Sequence, residues 1–560
     1  MTTRKTRRLC ALLGSIAVAL LSACAAGTGA GAGPVDDYVT GQSQSLDLAL
    51  ACNDKIDAVY TAPSSSKKSG GLGEIVRCSK GRKISADEIN QKLASFSTPF
   101  KGTAAKYPVQ LYRISYRTTR LDDSQPDFGT ALVVLPVVGN GAKNNAPADT
   151  SAPSPTMPTM PTMPTMPTTP VASATAQPPA PSDGADDVDA DSSVEEDAFD
   201  AKNVNSMPLV LFAHGTAPWG NACATSKLDP VTAMDADEES GVVLAAAGRG
   251  FPVIAPDYAG YVQGSISAGY LLSQDEAHSI LDGTRAFDKL VKNAPSKVVF
   301  VGHSQGGHAA LSAQALAGSY GMSGKLSGVA VFAPFWAPGR TLGSIIVPGS
   351  PYSIDSAPDV IKFAIEYFYT HAEVYDGAGT GAQLFQQTDD IQNALNQLIN
   401  TCSLTAEPSS AFGSTPDTFF ESNFDMAVGF CGVDKEACND EGGLATKWET
   451  RFLADRPQLN GSGAPIALWQ GKNDATIFPQ LAKCGIDKIR SDIGNNFTFC
   501  GDKMADHQTI LSRRTHWVLR WIKARTLNHP EPNACNGEDA ISDPSMPLTC
   551  LEPPSPVNVD

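Results

Sequence analysis

Short runs of β-branched and aliphatic residues recur along this chain, separated by stretches whose apolar positions repeat at helical spacing. Tyr107 to Thr119 and Gly129 to Val138 alternate or run apolar like strands, and Pro208 to Ala213 has the same character. Farther on, Phe251 to Ala255, Lys297 to Val301, Val329 to Ala333 and Ile466 to Gln470 are predicted strands. Between and after them, Gln274 to Val291 and Trp517 to Ala524 are predicted helices. Near the start, Ser85 and Glu88 have the spacing of a capping box, which predicts a helix from Ala86 to Phe96. Strands alternating with helices imply the α/β class, with a mostly parallel central sheet covered on both faces.

Two stretches interrupt that rhythm. Residues 144–207 repeat Met-Pro-Thr, turn Pro/Ala-rich and end in an acidic run, a composition that cannot build a packed core and favours extended chain. Predicted strands flank this insert on both sides, so it reads as a loop within one domain rather than a linker between two. Met157, Met160, Met163 and Met166 recur every third residue only because the repeat does. The second interruption is the gap of about 130 residues between the strands at Val329 and Ile466, where a parallel crossover needs a dozen or more. An inserted, mainly helical cap is therefore expected over 338–459. Ala357 to Tyr369 and Thr388 to Asn400 look helical and amphipathic, and Phe412 to Phe430 is rich in Phe, with Met426 among them. Such a cap serves either as a lid over a hydrophobic pocket or as a buried helical subdomain without a substrate role.

The first residues change the picture of where the chain works. Arg4, Lys5, Arg7 and Arg8 precede the apolar run Leu9 to Leu21, which has the form of a signal peptide over residues 1–24. Its end, Leu21-Ser22-Ala23-Cys24, resembles a bacterial lipoprotein signal, in which Cys24 would be lipidated and would hold the protein to a membrane. The alternative is ordinary cleavage among Ala23-Cys24-Ala25 and free secretion. Residues 25–99 are expected to form a flexible tether and an N-terminal extension, 100–530 the folded domain, and 531–560 a tail.

Twelve cysteines fit an oxidising compartment. Setting aside Cys10 and Cys24 leaves an even set. Pairing sequence neighbours (52 with 78, 431 with 438, 484 with 500, 535 with 550) would leave Cys223 with Cys402, although sequence alone does not give connectivity. No zinc-type spacing occurs among them, so no metal is expected. The net charge of −17 argues against a nucleic-acid partner. Much of that charge is local, since residues 183–200 hold nine acidic side chains and no basic one.

Candidate chemistry centres on Gly302-His303-Ser304-Gln305-Gly306-Gly307, at the end of the predicted strand 297–301 and before the helix-forming run from His308. The five-residue pattern is weak alone, but strand, turn and helix together read as a nucleophile elbow presenting Ser304. A serine hydroxyl is a poor nucleophile, so it must stand on a sharp turn where a base reaches it and a carbonyl can approach. The backbone N–H of Gln305, at the helix start, would be one oxyanion donor. A triad on such a sheet needs an acid after a late strand and then a histidine, in the order Ser, Asp, His. Asp474, in the loop after strand 466–470, supplies the acid. Of the three later histidines, His516 falls inside the last helix and His529 in a Pro-rich tail, whereas His507 lies where a loop enters that helix, with Asp506 as its N-cap. The second donor has two candidate loops, Phe212 to Thr216 and Ala255 to Gly260.

The series His214-Gly215-Thr216, Cys223-Ala224-Thr225-Ser226, Pro256-Asp257-Tyr258-x-Gly260, Gly269-Tyr270, Ile280-Leu281-Asp282-Gly283-x-Arg285-Ala286, Gly302-His303-Ser304-x-Gly306-Gly307, Gly471-x-x-Asp474 and Asp506-His507 resembles the secretory lipase family. That family occurs in fungi and also in actinobacteria. The likeness covers roughly residues 100 to 525, is interrupted by the insert, and is least in the cap. Members usually carry Cys-Ala-Pro-Ser where this chain has Thr225. The resemblance implies an α/β-hydrolase fold with a helical lid and a Ser304, Asp474 and His507 triad. It places oxyanion donors at Gln305 and Asp257, with Thr216 as the alternative, and requires no cofactor. An exported monomer acting on an ester or lipid substrate through an acyl-enzyme is the expectation. The same triad could serve an acyltransferase or a peptidase, and the fold could serve a non-catalytic surface lipoprotein.

Overall fold

The computed structural model describes residues 43–532 apart from 64–69, 122–124, 140–206, 234–236, 337–340, 348–359, 403–409, 414, 435, 441–442, 460 and 462. The segment read as a signal, residues 25–42, Cys24, almost all of the insert, and Cys535 and Cys550 in the tail lie outside the described residues.

The N-terminal part holds β1 (Ser43–Ser45), α1 (Ile56–Val59), β2 (Ile75–Cys78), β3 (Arg82–Ile84), α2 (Ala86–Ser95), β4 (Val109–Thr119) and β5 (Pro126–Gly139). After the insert come β6 (Leu209–Ala213), α3 (Glu238–Gly248), β7 (Val253–Asp257), α4 (Ser273–Leu290), β8 (Lys297–His303), α5 (Gln305–Leu316) and β9 (Lys325–Phe332). The cap region contributes α6 (Thr341–Ser344), α7 (Val360–Asp376), α8 (Asp389–Asn400), α9 (Ser422–Val433) and α10 (Leu444–Ala454). The chain then completes the sheet with β10 (Ile466–Gly471), α11 (Pro479–Ile493), β11 (Phe497–Asp502) and α12 (Thr509–Leu527).

The sheet runs β11-β10-β9-β8-β6-β7-β5-β4-β2, with β1 beside β5 and β3 beside β4. From β7 to β11 every pairing is parallel, and β2 to β5 add an antiparallel wing. Both faces are buried, which explains the nearly continuous apolar runs of the central strands. Leu209, Leu211, Val298 and Phe300 pack with Ala277, Ile280 and Phe287 of α4, Leu311 of α5 and Ile489 of α11. The alternate residues Val210, Phe212, Val299 and Val301 face the other way, onto Leu244 of α3 and Leu511 and Val518 of α12. The period-two pattern thus divides one set of strands between two helical layers. The capping box at Ser85 is present, with Glu88 N–H donating to Ser85 Oγ and Ser85 N–H donating to Glu88.

The insert joins β5 to β6, two strands of the same sheet. Other boundaries differ from expectation. The sheet begins upstream of residue 100, because β1, β2 and β3 come from the segment read as tether and extension. These strands are three or four residues long, too short for an alternation to register. The Cys52–Cys78 disulfide ties this wing together. Asp506 is not the N-cap of the last helix, which is Gln508, but its carboxylate still accepts the N–H groups of Gln508 and Thr509.

Within 338–459, Phe368 sits among Phe420, Phe424, Trp448 and Phe452, with ring centroids 5.2–6.3 Å apart. This aromatic cluster is a hydrophobic core separate from the two that flank the sheet. Cys431–Cys438 closes a short loop beside it. Cys223–Cys402 links the segment after β6 to the one after α8. Cys484 and Cys500 are also disulfide-bonded. Among the described residues no helix is long and apolar enough to cross a membrane.

Candidate active site

The turn between β8 and α5 carries Ser304 with φ of 53° and ψ of −119°, a backbone that a non-glycine residue adopts only under strain. The surrounding fold holds it there. Ser304 N–H donates to Phe332 O of β9 at 3.0 Å, and the N–H groups of Gly307 and Phe335 converge on Ser304 O. The glycines are required by proximity. A Cβ on Gly302 would fall 2.1 Å from Gly306 O, and one on Gly306 would fall 2.0 Å from Ala213 O. Elbow and β6 are therefore in backbone contact.

Three side chains expected from the sequence come together at this turn. His507 Nε2 lies 3.0 Å from Ser304 Oγ, and His507 Nδ1 lies 2.8 Å from Asp474 Oδ2. Asp474 is held in turn, since its Oδ1 accepts Thr476 and Ile477 N–H groups at 2.9 and 2.8 Å while its Oδ2 also accepts Gln470 Nε2 at 3.0 Å. A buried carboxylate so fixed favours the imidazole tautomer with hydrogen on Nδ1 and the lone pair toward the serine. Burial lowers the His507 pKa, an effect that the bond to Asp474 opposes without cancelling. His516, by contrast, lies within α12.

Gln305 opens α5, so its N–H has no intrahelical acceptor and sits immediately beside Ser304. For the second donor, strand order separates the two candidate loops. β6 is the neighbour of β8, and β7 lies one strand farther away, about 5 Å along the sheet. The backbone against the elbow is thus that of Ala213, His214 and Gly215, which lead into Thr216. Asp257 is a fully buried scaffold residue whose carboxylate accepts from Thr130, Thr225 and Ser226. Thr225 is one of these partners. Thr216, the alternative, follows the adjacent strand, and its Oγ1 lies 3.1 Å from Tyr270 OH.

Two carboxylates near the site escaped sequence reading. Glu276 on α4 is fully buried, accepts Gln305 Nε2 at 2.7 Å and lies 2.7 Å from His308 Nδ1. His308 Nε2 reaches Asp455 O at 2.6 Å, and Asp455 Oδ2 meets His371 and Tyr367 of α7. A polar chain therefore runs from the elbow helix into the cap region. Burial opposes charge on His308, but Glu276 raises its pKa overall. Glu239 on α3 contacts Gly215 N–H and His303. Neither acid belongs to a short motif. Only the His303 and His308 positions flanking the elbow hinted that anionic partners were nearby.

Fold and site geometry define an α/β-hydrolase fold. The alpha/beta hydrolase family model matches residues 210–468. Among solved structures the chain is similar to a Legionella pneumophila protein provisionally classed as a hydrolase, with 15% identity, a TM-score of 0.55, and 80% of this chain and 98% of that one covered. It is also similar to the rice cell wall degrading esterase LipA from Xanthomonas oryzae, with 15% identity, a TM-score of 0.53, and coverage of 82% and 99%. No curated protein matches the sequence.

Proposed function

We propose that this protein is an exported serine hydrolase of carboxylic esters, a lipase or esterase of the secretory lipase type, working through an acyl-enzyme. The observation that carries the reading is the hydrogen-bonded line from Ser304 Oγ through His507 to Asp474, on a strained turn at the head of a helix. In the first step His507 Nε2 takes the Ser304 hydroxyl proton as Oγ bonds to the ester carbonyl carbon. The carbonyl oxygen becomes an oxyanion facing the N–H groups of Gln305 and Thr216, each such donor being worth about 3 kcal/mol. Collapse breaks the bond to the alcohol oxygen, which receives the proton from His507. Water then attacks the acyl-serine with His507 again as base, releasing the acid and restoring the Ser304 hydroxyl.

The cap at 338–459 acts in this reading as the lid. Leu271, Phe335, Leu342 and Phe452 meet His308, Asp455 and Arg456 around a small cavity between it and the core. The Xanthomonas neighbour is an esterase, which agrees with ester chemistry. Cys24 is proposed as the lipidated anchor, and the even set of mature cysteines fits export. Labelling the purified mature protein with a fluorophosphonate and mapping the adduct tests the centre of this reading. Modification of Ser304, lost in Ser304→Ala, is expected, and folded wild-type protein without label there would refute it. Matched ester and amide substrates then test the class, ester turnover being the larger.

A further inference from the structure

The residue before the nucleophile is a second histidine whose ring faces an oxygen on each side. His303 Nδ1 lies 2.6 Å from Glu239 Oε1 and Nε2 lies 2.8 Å from the backbone O of His507. Glu239 also accepts Gly215 N–H with both carboxylate oxygens, at 2.8 and 3.0 Å. We infer that Glu239 and His303 form a proton-loaded clamp, a positioning pair that holds the oxyanion loop and the catalytic base in register with Ser304. The inference rests on the proposed roles of Ser304 and His507.

The proton count follows from the geometry. A neutral imidazole carries one N–H, so between two acceptor oxygens it would turn a lone pair onto one of them. Two N–H donors, or a proton shared with Glu239, satisfy both sides. Either way the pair carries one proton more than a carboxylate beside a neutral ring, and its net charge is zero. That neutrality suits a ring whose side chain is 1% exposed and whose centroid is 4.6 Å from that of His507. Burial opposes charge on His303, but the contacts with Glu239 outweigh it and raise the pKa. The other titratable groups around the ring are Asp237, which begins α3, and His507, with Asp474 behind it.

Three working parts meet at this pair. His303 is covalently next to Ser304, Gly215 precedes Thr216, and the accepting carbonyl belongs to the base itself. Space around the carboxylate is filled, since a Cβ on Gly215 would lie 2.5 Å from Glu239 Oε1. Loss of the extra proton would set a ring lone pair against an oxygen and loosen the loop bearing His507. Activity should therefore fall on the alkaline side as His303 deprotonates.

The test compares wild type, Glu239→Gln, Glu239→Ala and His303→Asn as full mature chains. Glu239→Ala should lower kcat by about 10- to 100-fold with KM changed less than about threefold, because the parts that drift act on the transition state. Glu239→Gln should recover most of that loss at neutral pH, its amide oxygen accepting Gly215 N–H and its NH2 donating to a neutral His303. In that variant the alkaline limb should move upward, since no extra proton is needed. NMR of 15N-labelled histidine should show a doubly protonated or proton-sharing His303 in wild type at pH 8 and a neutral ring in Glu239→Gln. Circular dichroism and thermal melting establish that each variant is folded. Unchanged pH profiles in all three variants, with kcat within threefold of a wild type that labels at Ser304, would overturn the clamp. Failure of wild type to label instead strikes the hydrolase reading, and the NMR signature still decides the protonation of His303.

Discussion

Replacing Asp474 by Asn changes one atom and conflicts with every orientation of the new side chain. The carboxylate accepts four hydrogen bonds, from Thr476 and Ile477 N–H on Oδ1 and from Gln470 Nε2 and His507 Nδ1 on Oδ2. With its oxygen toward the two backbone donors, the Asn NH2 faces the Gln470 amide and the His507 ring. To relieve that clash His507 must accept at Nδ1, so its hydrogen moves to Nε2 and points at Ser304 Oγ. The base then has no lone pair for the serine proton. With the amide turned over, the NH2 meets two backbone N–H groups at positions 2.8–2.9 Å away, leaving buried donors unsatisfied. The first orientation disturbs fewer groups. Tautomer reversal of this kind lowers kcat by about 10³- to 10⁴-fold, or about 4–5 kcal/mol of transition-state stabilisation. Hydrolysis of a soluble p-nitrophenyl ester provides the measurement, and thermal melting reports whether the fold persists. A folded D474N enzyme retaining more than a tenth of wild-type kcat would show that Asp474 does not set the tautomer of the catalytic base.

Three further outcomes follow from separate features. Because burial lowers the His507 pKa, the acid limb of kcat/KM should fall below the ordinary histidine value of about 6.5, and a limb above it would contradict the buried geometry. The same shift makes His507 cost stability as pH drops below about 6.5, since the unfolded chain takes up the proton first. Gly306→Ala places a Cβ 2.0 Å from Ala213 O and 2.6 Å from His214 O, backbone atoms that cannot swing aside; a loss of about 1–3 kcal/mol by denaturant titration and strongly reduced Ser304 labelling are expected. Cys402→Ser removes a cross-link spanning 179 residues between cap and core, so melting should reveal a loss of about 2–5 kcal/mol, whereas no change would mean that the two parts are held by packing alone.

Much of this molecule is written locally. Doubly buried strands must be apolar throughout, so β6, β8 and β10 stand out in the chain, and the elbow needs glycine wherever backbone meets backbone. The chain order of Ser304, Asp474 and His507 narrows the site further, because each lies next to a recognisable strand or helix end. Short edge strands such as β1 to β3 were not legible, having too few residues for a period and drawing their stability from β4 and β5.

What the sequence by itself determined was the α/β class, the elbow, the interruption by the insert and the three residues that meet at its turn. Tertiary structure decided which loop adjoins them. Two loops with similar signatures follow β6 and β7, and the placement of β6 beside β8 brings the backbone of Ala213 and His214 against the elbow. It also decided the surroundings of His303 and His308, whose partners Glu239 and Glu276 lie 64 and 32 residues away. The physical reason is range: backbone sterics and hydrophobic period act over a few residues and leave a mark in the string, whereas a buried carboxylate is chosen by whatever the fold brings to it.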